Sequence, residues 1–168
     1  MTALRPEGFT FVELVVVITL IGILSWLAYP SLGAIGEIRL DAAARRVASD
    51  LRYAQNRAIG SRTVHGVRFD VGAGSYTVYA TNSGAAIVNP ADRGKRLVVS
   101  FASLAETRGV RIESAAFGTT PGVTYDFYGV PRDSAGAELR APGRVVLVCD
   151  GRRDTVEVAP ETGAVETP

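Results

Sequence analysis

The pattern of apolar and polar positions divides the chain into three stretches. Met1–Gly8 is short and polar, with Arg5 and Glu7 as its charges. From Phe9 the sequence runs FTFVELVVVITLIGILSWLAYPSLGAIG, whose single charge is Glu13; Leu14 to Gly36 carries none. About 20 apolar residues in a helix reach across a bilayer core, so this stretch is a candidate membrane helix. Pro30 removes a helical hydrogen bond and predicts a kink or local loosening, in a region that Gly33 and Gly36 weaken further. After it Leu40, Ala44, Val47, Leu51, Ala54 and Ala58 alternate at spacings of four and three, the stripe of an amphipathic helix. Arg39, Asp41, Arg45, Asp50, Arg52 and Arg57 lie off that stripe and are expected on a solvated, charged face.

Beyond Gly60 the period shortens. Val64–Asp70 and Ser75–Thr81 flank Gly72-Ala73-Gly74 and predict a hairpin. Arg96–Phe101, Val110–Glu113, Val123–Tyr128, Arg144–Cys149 and Asp154–Val158 follow as strands. Gly122, Gly129-Val130-Pro131, Gly143 and Asp150-Gly151 punctuate them. Asn82–Gly94 reads as a loop of low apolar content. One long helix followed by short strands predicts an α+β protein, the helix packed on an antiparallel sheet or small sandwich.

Composition adds limits. A length of 168 residues suits one domain with an attached segment, and the 47% hydrophobic content is high for a soluble domain, with the excess concentrated near the N-terminus. A formal net charge of +1 gives no overall electrostatic case for nucleic acid or an anionic surface. Cys149 is the sole cysteine, which excludes an intramolecular disulfide.

The apolar stretch has three readings. A cleaved secretory signal has a basic region before it and a small-residue site after it; here Glu7 offsets Arg5, and Ser-Trp-Leu-Ala-Tyr-Pro is a poor site. A plain anchor has no use for Glu13, since an ionised Glu inside a membrane costs roughly 2–3 kcal/mol unless it snorkels or pairs. The third reading starts from Gly8-Phe9-Thr10-Phe11-Val12-Glu13-Leu14, which resembles the class III signal of type IV pilins and type II secretion pseudopilins. That resemblance implies a cut by prepilin peptidase between Gly8 and Phe9, on the cytoplasmic side, and N-methylation of Phe9. It implies an assembly role for Glu13, which would neutralise the new amine of a neighbouring subunit, and it matches Pro30 to a proline that many members carry. The segment Asp50–Ile59 is similar to the helix of the GspH/FimT group of minor pseudopilins and minor pilins. A pilin-like organisation follows as expectation: leader 1–8, transmembrane and assembly helix 9–30, amphipathic helix 31–62 and β-rich periplasmic domain 63–168. Arg39, Arg45 and Arg46 after the span, against Arg5 before it, would by themselves put the C-terminal side in the cytoplasm. The resemblance implies the reverse, with the N-terminus cytoplasmic and the domain outside the inner membrane.

A search for chemistry gives little. His65 shares strand phase with Val67 and Phe69, and Cys149 with Val145 and Leu147, which predicts structural burial for both. There is no nucleophile elbow, no phosphate-cradling glycine loop, and no metal-ligand spacing among Asp126, Asp133 and Asp150. Neither an enzyme nor a cofactor or metal is expected. Arg140, Arg144, Arg152 and Arg153 cluster near the C-terminus. Gly143-Arg144 and Gly151-Arg152-Arg153 loosely resemble segments with which some FimT-like minor pilins bind DNA. Asp154, Glu157, Glu161 and Glu166 follow at once, and no basic face alternates with aromatics, so a solvated hairpin turn is the stronger reading. The expected partners are prepilin peptidase, other pilins or pseudopilins, and the inner membrane, with DNA as the weaker alternative. The expected function is a minor pseudopilin of a type II secretion system; the alternative is a minor pilin of a type IV pilus.

Overall fold

The structure, a computed structural model, describes residues 9–28, 31–81 and 84–167. It divides into two compact units, residues 1–35 and 36–168.

The first unit is dominated by α1, Phe11–Ala28. Thr10 starts it as an N-cap: its hydroxyl accepts from the Glu13 N–H at 3.3 Å and its carbonyl from the Leu14 N–H at 3.2 Å. Thr10-x-x-Glu13 is the spacing of a capping box, which places a carboxylate at the positive end of the helix dipole. The helix is apolar all round. Its two hydroxyls are turned back on the backbone, Thr19 onto the Val15 carbonyl and Ser25 onto the Ile21 carbonyl, each at 2.7 Å. Such i−4 bonding satisfies a hydroxyl without water. Pro30, where a kink was expected, lies outside the described residues.

In the second unit α2, Ser31–Ser61, supplies one wall of the core. All six expected stripe residues are buried, and Ala43 and Ala48 widen the stripe. The other walls are two antiparallel sheets. The first is ordered β3-β2-β1-β5-β6, from β1 His65–Asp70, β2 Ser75–Ala80, β3 Val98–Ser100, β5 Gly122–Tyr125 and β6 Pro131–Asp133. The second is ordered β4-β7-β8-β9, from β4 Arg111–Ala116, β7 Gly143–Cys149, β8 Arg152–Val158 and β9 Val165–Glu166. Aromatic rings fill the centre: Phe69 stacks on Phe117 at 5.8 Å between centroids and leans on Tyr76 at 5.6 Å. Gly143 is required there, because a Cβ would sit 2.2 Å from the Phe117 ring. The fold is thus α+β, with the helix against a two-sheet sandwich, as expected.

Several boundaries move for local reasons. The β1–β2 hairpin forms as expected, with Asp70 Oδ1 accepting from the Ala73 N–H at 2.9 Å in the turn. The strand expected over Val123–Tyr128 stops at Tyr125. Asp126 Oδ1 instead accepts the N–H groups of Tyr128 and Val130, at 2.9 and 3.0 Å, and makes a turn. β8 begins at Arg152 because Asp150 and Gly151, with φ of 49° and 79°, form a two-residue hairpin loop. Two strands were missed, β6 and β9; both are short edges, and β6 opens on a proline that an edge tolerates. The expected loop Asn82–Gly94 includes residues stitched to β2: Ile87 N–H donates to the Val78 carbonyl at 3.0 Å, and Val88 bridges Arg96.

Of the off-stripe residues of α2 one needs correction, Asp50; Asp41, Arg45, Arg52 and Arg57 are exposed and Arg39 is half-buried. Arg45 and Asp41 do form a solvated pair at 2.8 Å. Asp50 is buried instead, with 7% exposure. Its Oδ2 accepts from the Tyr76 hydroxyl at 2.7 Å and from Arg46 Nε at 3.0 Å. Burial first, and the Asp50 charge second, push the Tyr76 phenol well above its usual range, so it remains a donor. Arg52 reaches the Val165 carbonyl at 2.6 Å, and Gln55 Nε2 donates to the Gly129 and Thr162 carbonyls at 2.9 and 2.8 Å. Hydrophobic periodicity is blind to these polar contacts, because the same residue types occur on solvated faces. Tyr76→Phe removes a buried donor to a carboxylate and is expected to destabilise the domain by about 2 kcal/mol. Urea unfolding of the variant checks this, and an unchanged midpoint would show that Arg46 alone satisfies Asp50.

Candidate functional site

The features with most functional content lie at the N-terminus. Gly8 and Pro30 lie outside the described residues. Phe9 is 83% exposed, and every described side chain from Phe9 through Trp26 is solvent-exposed in the isolated chain. Glu13 is the only charge in α1, and stands one turn from Phe9. A continuous apolar surface of this kind marks a membrane or protein contact. Among the described residues no helix is long and apolar enough to cross a membrane. With 18 residues, α1 has a length of about 27 Å, slightly less than the ~30 Å of a bilayer core.

The C-terminal arginines are held mainly by carboxylates. Arg153 makes a bidentate pair with Glu113, at 2.6 and 2.7 Å, Arg144 pairs with Glu157 at 2.8 Å, and Arg152 bonds Glu37 of α2. Arg140 is exposed and has no ion pair among the described residues. Arg144 lies at the opposite end of the β7–β8 pair from Arg152 and Arg153: it is in register with Glu157, whereas Arg153 faces Val148 and Arg152 faces Cys149.

The residues screened for catalysis or metal binding have structural partners. His65 is 4% exposed, its Nδ1 lying 2.9 Å from the Thr63 carbonyl. Asp133 is a loop organiser: Oδ1 accepts from the N–H groups of Ala137 and Ala135 and Oδ2 from the Thr119 hydroxyl. These bonds, Ala137 first, hold its carboxyl below the usual range. No cluster of potential metal ligands occurs among the described residues. Asp150 packs against α2, where a Cβ on Gly36 would meet its Oδ2 at 2.7 Å. Cys149 is buried beside it, and burial first, then the Asp150 charge, push the thiol up.

The prokaryotic N-terminal methylation motif matches residues 5–29. No curated protein matches the chain by sequence. Among solved structures, the type IV minor pilin FimU of Pseudomonas aeruginosa is similar with a TM-score of 0.54 and 12% identity, over 77% of this chain and 87% of that one. The minor pseudopilin EpsH from the type 2 secretion system of Vibrio cholerae is similar with a TM-score of 0.56 and 16% identity, over 77% and 96%. The fold is pilin-like. The expected signal and the expected α+β architecture therefore stand together on one chain, the motif at its N-terminus and the minor-pilin fold beyond it. In this pilin-like domain Asp50, Arg52 and Gln55, all within the segment Asp50–Ile59 that resembles the GspH/FimT helix, tie α2 to strands and to the loops beside them. Sequence patterning also passed over the Thr10–Glu13 cap, although its spacing was available.

Within the domain, Cys149 should be inert to iodoacetamide at pH 8 and react once unfolded in urea. Mass spectrometry of the alkylated protein checks this, and rapid labelling of the folded chain would contradict the packing described.

Proposed function

We propose that the chain is a non-enzymatic filament subunit of the minor-pseudopilin or minor-pilin kind, anchored by its N-terminal segment. The observation that carries this reading is the conjunction of a methylation motif over residues 5–29 with an unpartnered apolar helix and a pilin-like domain. In this reading prepilin peptidase removes Met1–Gly8 and methylates the amine of Phe9. The anchor takes in residues 9–30, so that α1 and its flanking apolar residues together reach across the inner membrane. The domain then lies on the periplasmic side.

Glu13 has a double part in this scheme. Its place in the first turn of α1, at the positive end of the helix dipole, suits a carboxylate. Desolvated among the apolar helices of a filament, it needs a cation, and the amine freed at Phe9 of the neighbouring subunit is one. A carboxylate left unpaired there is costly, so pairing favours one axial register over others. Pro30 supplies a break between the anchor and the helix that belongs to the domain.

The first assignment is a pseudopilus subunit of a type II secretion system, supported by the likeness to EpsH. A type IV pilus subunit is the second, supported by the likeness to FimU. DNA contact through Arg140, Arg144, Arg152 and Arg153 is the weaker part of that second assignment, since Glu157, Glu37 and Glu113 already engage three of them. Ion pairs that staple β7, β8 and α2 are their better role. Prepilin peptidase, other filament subunits and the inner membrane are the partners in either case.

The experiment is Glu13→Ala, expected to leave membrane insertion and Phe9 methylation intact while sharply reducing incorporation into sheared filaments. A variant that assembles as the wild type does would refute the pairing. Deleting the gene and measuring protein secretion, twitching and DNA uptake separates the two machines.

A further inference from the structure

A groove of about 340 Å³ opens between the C-terminal half of α2 and the segment that follows β2. Tyr53 and Arg57, one turn apart on α2, line one wall; Ile87 and Arg96 line the other, and His65 also borders the groove. None of the lining residues is acidic. Arg96 uses one Nη1 on the Ala86 carbonyl at 2.9 Å, which leaves the rest of its guanidinium fork. Neither Arg57 nor Arg96 has an ion pair among the described residues, whereas Arg45, Arg46, Arg144, Arg152 and Arg153 are all matched to carboxylates. The groove therefore collects positive charge from two elements without a counter-charge.

One local feature opposes an anion. The carbonyl end of α2 is close by, and its dipole is negative. That opposition is reduced at one carbonyl of this end, since the Ser61 hydroxyl donates to the Arg57 carbonyl at 2.7 Å. The His65 Nδ1 is already engaged by the Thr63 carbonyl.

We propose that this groove binds a carboxylate borne by another polypeptide, an Asp or Glu side chain of a neighbouring filament subunit, between Arg57 and Arg96. The planar guanidinium fork matches a carboxylate in two-point geometry. The volume is that of a side chain or two, and Tyr53 and Ile87 give the methylene stem of an acidic residue an apolar wall. A nucleic-acid strand needs a longer basic track with several aromatic platforms, and this lining offers Tyr53 as its one large aromatic ring. That the carboxylate comes from a filament subunit rests on the proposed function; carboxylate capture by the groove does not.

The test uses the full chain in neutral detergent with two probes, acetyl-Gly-Glu-Gly-amide and inorganic phosphate, followed through the arginine Nε resonances. Saturable shifts at Arg57 and Arg96 with the peptide are expected, at least tenfold weaker in the R57Q/R96Q double variant and with the Gln analogue of the peptide. The R57K/R96K variant keeps the charge without the fork and should fall between. An absence of saturation, an affinity unchanged in R57Q/R96Q, or saturation by phosphate without the peptide each overturns the proposal. Binding is read without assembly, so a chain that captures the peptide but forms no filament overturns the proposed function alone.

Discussion

A helix that is apolar on every side has to be covered by something other than water, and α1 is such a helix. Its described side chains are exposed, its hydroxyls are folded back on its own carbonyls, and its single charge sits in the first turn. Nothing in its composition offers a polar face to solvent. In the reading proposed its cover comes from outside the chain, first from lipid and then from the helices of other subunits. The N-terminal methylation motif covers the same residues, 5–29, and in the reading proposed the processing it signals converts a membrane segment into an assembly element.

The second unit has the opposite character, a self-contained core in which α2 is the organising element. Small residues, among them Ala43, Ala44, Ala48, Ala54 and Ala58, keep the helix close to both sheets. Polar residues then set its register: Asp50 on Tyr76, Arg52 on the β9 carbonyl, and Gln55 on two loops far apart in sequence. A buried carboxylate stabilises only when well partnered, and here it accepts from both a phenol and a guanidinium. Close approach at Gly36 adds a steric limit, because Asp150 occupies the space a side chain would need.

The parts of the molecule that follow from periodicity were legible in sequence. The alternating stripe from Leu40 to Ala58 located the buried face of α2, and alternation located β1, β2 and β7 and the burial of His65 and Cys149. What escaped was decided by geometry over distance. Asp50 read as solvated because its partner Tyr76 is remote in sequence, and the bonds of Arg52 and Gln55 to the carbonyls of Val165, Gly129 and Thr162 leave no mark in the pattern for the same reason. The two-residue β9 is too short to carry a period, and Phe127 and Tyr128 extended a strand pattern that Asp126 interrupts by capping its own turn. The N-terminal methylation motif, matched over residues 5–29, was legible because it is written in consecutive residues rather than in tertiary structure. The groove at Arg57 and Arg96 was not, because its two arginines come from different elements. The C-terminal arginines looked like a basic cluster for the converse reason: the carboxylates of Glu37 and Glu113 that engage Arg152 and Arg153 are distant in the chain.

The central claim, that the N-terminal segment is both anchor and assembly element, depends on what chemical end the mature chain carries. Intact-mass and N-terminal peptide analysis of the protein taken from membranes of its native host measures that end directly. The account predicts a chain that starts at Phe9 and bears one added methyl group on its amine, with the longer, unmodified precursor accumulating where prepilin peptidase is removed. A mature chain that still starts at Met1, or one cut after the apolar helix so that α1 is lost, would contradict it.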